Sequence, residues 1–148
     1  MTRTELFEFM RTHTNAVQAS VSPAGTAQAA VIGIAVTDSF EIIFDSVDTT
    51  RKVKNLLLNP SVAFVIGGWT PGDERTVQYE GIVDKPEGAE LERLKSIYYV
   101  KFPTGRLRLS WPGIIYLRVR PTWIRYRDFN QVPPTVLELD AEQIKNLQ

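Results

Sequence analysis

Cationic side chains crowd one short stretch of this chain, where a strand gives way to a helix. In the run Phe44-Asp45-Ser46-Val47-Asp48-Thr49-Thr50-Arg51-Lys52-Val53-Lys54-Asn55-Leu56, Arg51, Lys52 and Lys54 all fall in the first helical turn. A helix N-terminus carries about half a positive charge and attracts Asp or Glu, so each misplaced cation costs about 0.3–1 kcal/mol at an exposed site. A bound anion reverses that sign. Free backbone N–H groups, the Thr50 hydroxyl and the Arg51 and Lys52 side chains would then converge on one phosphate. The plain alternative is a solvated helix start whose long side chains lean away. The position directly after a buried strand favours the phosphate.

Other chemistry is scarce. The chain has no cysteine, which excludes disulfides, thiolate metal sites and cysteine nucleophiles. Its one histidine, His13, argues against a histidine-rich zinc site and reads as a helix-end residue. Glu80 and Asp84 are the acids closest to a pair, and nothing else supports glycosidase chemistry. Seventeen basic and seventeen acidic residues cancel, so no global field recruits nucleic acid or an anionic membrane. The N-terminus lacks a signal-peptide apolar run, and no stretch approaches the roughly 20 apolar residues that span a bilayer. The expectation is a soluble, cytoplasmic protein with no nucleic-acid or membrane partner. At 148 residues it reads as one domain, 1–148, able to bury a core without staples.

The elements that must position the cationic junction are mostly strands. Thr2 and Glu5 have capping-box spacing, and Leu6, Phe7 and Met10 recur at helical intervals, which predicts a helix over Arg3–Arg11. Asn15–Val21 reads as a strand and Ser22–Gly25 as a turn. Ala27–Val36, rich in Ala, Val and Ile, predicts a strand buried on both faces or lining a barrel. Glu41–Phe44 is a third strand, Thr50–Asn59 a helix ended by Pro60, and Ser61–Ile66 a fourth strand. Arg75–Asp84 alternates as a strand, and Glu87–Tyr98 reads as a helix. Phe102–Gly113, with two prolines and two glycines, predicts loop. Ile114–Arg120 and Thr122–Arg127 read as two strand runs bent at Pro121. Gln131–Pro134 is extended, and Asp140 caps a last short helix through Asn146. About seven closely spaced strands imply antiparallel pairing, and closure into a small barrel would remove exposed edges.

The order of these segments resembles the pyridoxamine 5′-phosphate oxidase-related, FMN-binding split-barrel family. Phe44-Asp45 stands in the place of that family's aromatic-polar pair, and Thr50-Arg51-Lys52 is similar to its flavin-phosphate motif, with a loop one residue longer between them. Asn59-Pro60-Ser61-Val62-Ala63-Phe64 resembles the family's helix stop and next strand. Arg75–Gly81 resembles the strand that meets flavin across the dimer interface, and Tyr116–Asp128 its late strand. The resemblance covers roughly Glu5–Asp128. It implies a mainly β, six- to seven-stranded antiparallel split barrel working as a homodimer. It also implies FMN held by Thr50, Arg51, Lys52, Phe44, Asp45, Ser46, Gln28, Thr76, Gln78 and Arg127, and oxidoreductase activity on a small-molecule redox substrate.

Departures from the family narrow that expectation. The strand Ala27–Ile34 offers only Gln28 where the oxidase has basic residues, and no C-terminal Arg-x-His pair is present. True pyridoxamine-phosphate oxidase activity is therefore not expected. Gln28, Thr76 and Gln78 also read as ordinary strand residues. Trp69, Trp111 and Trp123 read as packing ahead of pocket walls. Arg118, Arg120 and Arg125 read as a solvated or dimer-facing stripe. Rival readings on the same fold are an F420-dependent reductase, a heme protein, which a single histidine supports little, and a non-catalytic flavin-binding or stress-related protein. A nucleic-acid-binding barrel is disfavoured by the zero net charge.

Overall fold

Thr2 opens the first helix as its spacing predicts. Its hydroxyl accepts from the Glu5 N–H at 3.2 Å, and the Glu5 carboxylate accepts from the Thr2 N–H at 2.7 Å. In the computed structural model, which describes Met1–Gln148, helix α1 runs Arg3–Thr12 and His13 is its C-cap. The strands are β1 (Asn15–Val21), β2 (Ala27–Gly33), β3 (Ala35–Val36), β4 (Ile42–Val47), β5 (Ser61–Gly67), β6 (Arg75–Asp84), β7 (Ile114–Asp128) and β8 (Thr135–Asp140). They form one antiparallel sheet in the order β2-β1-β5-β6-β7-β4-β3, with β8 on the second half of β7.

Only Ile34 separates β2 from β3, yet the two lie at opposite ends of that path. Continuity of the chain therefore curls the sheet back on itself, which is the split barrel. Its inward residues alternate with period two along each strand. Ala16, Val62, Phe64, Val77, Tyr79, Leu117 and Ile124 meet Phe40 and Phe44 in one core. The buried Tyr79 hydroxyl donates to the Phe40 and Val119 carbonyls at 3.0 and 3.1 Å, which satisfies a polar group that burial would otherwise penalise. Helix α2 (Arg51–Leu58) covers one end of the barrel and sinks Val53 and Leu56 into the core. Helix α3 (Gly88–Lys101) and a 3-10 segment (Pro103–Ser110) cover the outer face of β4. There Leu94, Tyr98 and Tyr99 pack on Ile43 and Tyr116. Helix α4 (Ala141–Asn146) starts from Asp140, whose side chain accepts from the Glu142 and Gln143 N–H groups.

Several predicted boundaries move, each for a physical reason. Strand β4 continues three residues past Phe44, because β7 supplies pairing partners as far as Val47. Strand β2 is not buried on both faces. Ala29, Ala30 and Val31 are exposed, since β1 is its one partner along Ala27–Gly33. Phe102–Gly113 contains the 3-10 segment where only loop was expected, and α3 reaches Lys101. The two late runs are one strand, β7. At Pro121 the ladder slips by one residue: Gly81 pairs with Pro121, Glu80 with Trp123, and Thr122 is left over. Pro121 has no N–H to lose, and a Cβ on Gly81 would stand 2.5 Å from the Arg120 carbonyl oxygen. Strand β8, unpredicted, alternates weakly as Val136-Leu137-Glu138-Leu139 and pairs with Trp123–Asp128.

Candidate functional site

The cationic junction faces a cleft. Gln18, Ser20, Gln28, Ala29, Ala30, Thr50, Arg51 and Lys52 line a depression of about 290 Å³ between the β1–β2 hairpin and the start of α2. Register explains the grouping. Gln18 pairs with Ala30 and Ser20 with Gln28, so these four share the inward face of the hairpin.

Helix α2 differs from α1 and α4 at its start. Its N-cap Thr50 makes no capping bond, and its first turn has no acidic residue. The Thr50 hydroxyl instead donates to the Val47 carbonyl at 2.9 Å and lies 3.2 Å from Ser46 Oγ. The first N–H groups of the helix are thus left for another acceptor. Arg51 is held in place: its Nε donates to Gln28 Oε1 at 3.0 Å. Asn55, one turn further on, donates to the same Gln28 Oε1 at 2.9 Å and to Ser20 Oγ at 3.1 Å. Gln18 closes the floor. It is 1% exposed, and its Nε2 has no hydrogen-bond partner. A buried donor without an acceptor costs about 1–3 kcal/mol, which an acceptor in the cleft would recover. Unspent backbone donors, two cations and an orphaned amide make this cleft complementary to an anionic ligand rich in oxygen acceptors. The residues therefore fit a flavin phosphate.

Of the ten expected site residues, Thr50, Arg51, Lys52 and Gln28 line the cleft, and Ser46 touches it through Thr50. The other five lie elsewhere. Phe44 is wholly buried, edge-on to Phe64, and offers no side-chain surface. Asp45 points to the opposite face of β4, because side chains alternate along a strand. It accepts from Tyr98 Oη at 2.9 Å and Arg108 Nε at 2.7 Å, while an Arg108 Nη donates to the same Tyr98 hydroxyl at 3.0 Å. That closed triad ties α3 and the 3-10 segment to the barrel. Asp45→Asn is expected to lower the melting temperature by several degrees, about 1–2 kcal/mol for a half-sheltered charged bond. Flavin titration of the same variant should match the parent. A variant that lost flavin affinity without losing stability would return Asp45 to the site.

Thr76, Gln78 and Arg127 lie on the outward face of the sheet, with Thr76 directly across from Arg127. They do not line the cleft of their own chain. Arg127 stacks its guanidinium over Phe129 at 4.6 Å. Gln18, Ser20 and Asn55 were missed in the sequence. The available signal was polarity at the wrong parity: Gln18 and Ser20 alternate in phase with buried Ala16, and Asn55 stands one turn from Arg51 beside Leu56.

Comparison with known proteins agrees with this architecture. The sequence profile described as pyridoxamine 5′-phosphate oxidase matches residues 2–147. The chain belongs to this family. Comparison with curated protein sequences gives no match. Among solved structures, the chain is similar to a heme binding protein from Mycobacterium smegmatis, with a TM-score of 0.81 at 14% identity, over 99% of this chain and 61% of that one. The chain thus spans less than two thirds of that protein's length. A pyridoxamine 5′-phosphate oxidase-related, FMN binding protein from Nostoc punctiforme matches at TM-score 0.67 and 12% identity, over 95% of this chain and 87% of the other. A heme storage protein from Vibrio cholerae matches at TM-score 0.68 and 14% identity, over 80% and 88%. At these identities the likeness establishes the fold: a mostly β, antiparallel split barrel. No helix of this family member is long and apolar enough to cross a membrane.

Proposed function

We propose that this family member is an FMN-binding flavoprotein and a redox enzyme acting on a small molecule, with the flavin phosphate held by Thr50, Arg51 and Lys52. The observation that carries this reading is the uncapped, acid-free start of α2 opening onto a cleft that also contains Gln28 and an unpartnered Gln18. Bound flavin supplies the electron chemistry, and the protein supplies placement and charge. With Gln28 as the one polar side chain that β2 gives the cleft, pyridoxamine-phosphate oxidation itself is not the proposed reaction.

Two neighbours of this fold carry heme in their names, but the residues here favour flavin. His13 has Nδ1 2.8 Å from the Phe9 carbonyl oxygen, and its ring lies tilted against Phe9 and edge-on to Trp69. The chain's one histidine thus sits at the end of α1 and does not line the cleft, so a histidine-ligated heme finds no imidazole there.

The reading includes a homodimer in a cytoplasmic setting. One row across the outward face runs Val31–Val17–Val65–Gln78–Arg125, and Val31 and Val65 are 70% and 40% exposed. Such an apolar stripe beside polar Gln78 and Arg125 suits a second copy, which would bring Thr76, Gln78 and Arg127 toward the neighbouring cleft. Sedimentation should give a species of twice the 16.8 kDa chain mass at micromolar concentration.

The deciding experiment is FMN titration of the purified protein, followed by flavin absorbance and fluorescence. Saturable binding of one FMN per chain is expected. No flavin spectrum and no binding by titration would remove the reading. Tighter binding of F420 in direct competition would assign the cleft to the deazaflavin.

A further inference from the structure

We infer that Gln18 is the residue by which this cleft recognises the neutral part of a phosphate ester, donating its Nε2–H to a ligand oxygen beside the phosphate. The inference rests on the flavin reading above and names a contact within it. Of the polar side chains around the cleft floor, four are already committed to one another. Asn55 donates to both Ser20 Oγ and Gln28 Oε1, and Arg51 donates to the same Gln28 oxygen. Gln18 stands apart from that network. Two buried side-chain nitrogens in the chain lack a hydrogen-bond partner, Gln18 Nε2 and Arg125 Nε. Arg125 Nε has a carboxylate oxygen of Glu138 at 3.8 Å, so an opposite charge attends it. Gln18 has none, and it alone of the two lines the cleft.

Position decides which part of the ligand Gln18 would meet. Gln28, which fixes Arg51, pairs with Ser20, and Gln18 is two residues further along the same face of β1. That spacing is about 7 Å along a strand. A phosphate centred on Arg51 and Lys52 is therefore one pleat away, and the neighbouring hydroxyl- or carbonyl-bearing segment of its ester comes level with Gln18. A lone donor selects an acceptor there. An apolar segment in that place would leave the amide unpartnered, so the cleft discriminates against phosphate esters of purely hydrocarbon chains.

The test uses the full chain and FMN as probe, with fluorescence titration and a melting curve of the ligand-free protein. Gln18→Met keeps the side-chain length and removes the donor. It is expected to weaken FMN binding about two- to tenfold, the effect of one neutral hydrogen bond. Gln18→Glu replaces the donor with a charged acceptor and should weaken binding further. Ligand-free Gln18→Met should melt at or above the parent temperature, since no native partner is lost. Affinity equal to the parent in Gln18→Met overturns the inference while leaving the flavin reading intact. A lower melting temperature with unchanged affinity would make Gln18 a structural residue and also overturn it. Parent protein that binds no FMN removes both.

Discussion

Replacing Arg51 and Lys52 together by alanine is expected to weaken FMN binding by more than about tenfold while leaving the ligand-free protein as stable as the parent or slightly more so. A charge-assisted hydrogen bond to phosphate is worth about 1.5–3 kcal/mol, and 1.4 kcal/mol is a factor of ten. Arg51 is exposed and solvent weakens its share, so the lower end of that range applies to it. The opposite sign in stability follows from the helix. Both cations sit where the α2 dipole is positive, at a cost of about 0.3–1 kcal/mol each. Alanine removes that cost and gives up one bond, Arg51 Nε to Gln28 at 3.0 Å. A solvated helix start would show the stability gain without the binding loss. Isothermal titration and a melting curve of the double variant separate the two outcomes, and unchanged affinity would move the phosphate away from this junction.

The part of the site that was legible in the sequence is the part written in consecutive residues. Thr50-Arg51-Lys52 breaks a charge rule of helix termini, and such a violation is visible without coordinates. Asp45 was placed at the site through the family's aromatic-polar pair, and the expected strand ended at Phe44. Once the strand runs to Val47, alternation sends Phe44 and Ser46 inward and Asp45 outward, toward Tyr98 and Arg108. The strand's three further residues therefore fix which face Asp45 occupies. Gln18 and Asn55 depend on cross-strand register and on how α2 docks, and neither is a local property. Thr76, Gln78 and Arg127 share the outward face as their alternation implied, but no sequence pattern states whether a second chain covers it.

The fold was legible where one periodicity ran uninterrupted. The capping box of α1, the alternation of β6 and the Asp140 cap of α4 each needed only a few neighbouring residues. Where tertiary pairing overrode local signals, the reading failed. Pro121 looked like a break between two strands, yet the slip opposite Gly81 absorbs its missing donor and β7 continues. Pro103, Gly105, Pro112 and Gly113 looked like plain loop, yet Pro103–Ser110 forms 3-10 turns, with Gly105 so close to Tyr98 and Tyr99 that an added Cβ would crowd their rings.

Arg118 is the largest departure, and it carries the second strong expectation. It was grouped with a solvated or dimer-facing stripe, but it is 6% exposed within its own chain, under α3. Its fork meets Asp84 at 2.9 and 2.8 Å, its other Nη donates to Glu90 at 2.7 Å, and Glu41 lies at 3.6 Å. One guanidinium thus joins β7 to β6, to α3 and to the residue before β4. Arg118→Met keeps the stem and leaves three carboxylates facing an apolar side chain. Breaking a buried ion pair from one side costs about 3–5 kcal/mol. Asp84 and Glu90 keep some water, and Arg120 and Arg93 still reach them at 3.0 and 2.8 Å, so about 2–4 kcal/mol is expected. For a chain of this size that lowers the melting temperature by on the order of 10 °C. Arg118→Lys should recover little, because a point charge cannot make the bidentate contact to Asp84. FMN affinity, measured below the melting transition, should match the parent, since none of these groups lines the cleft. A melting temperature of Arg118→Met within about two degrees of the parent would mean that the three acids are relaxed by solvent, and that α3 is held by Leu94, Tyr98 and Tyr99 alone.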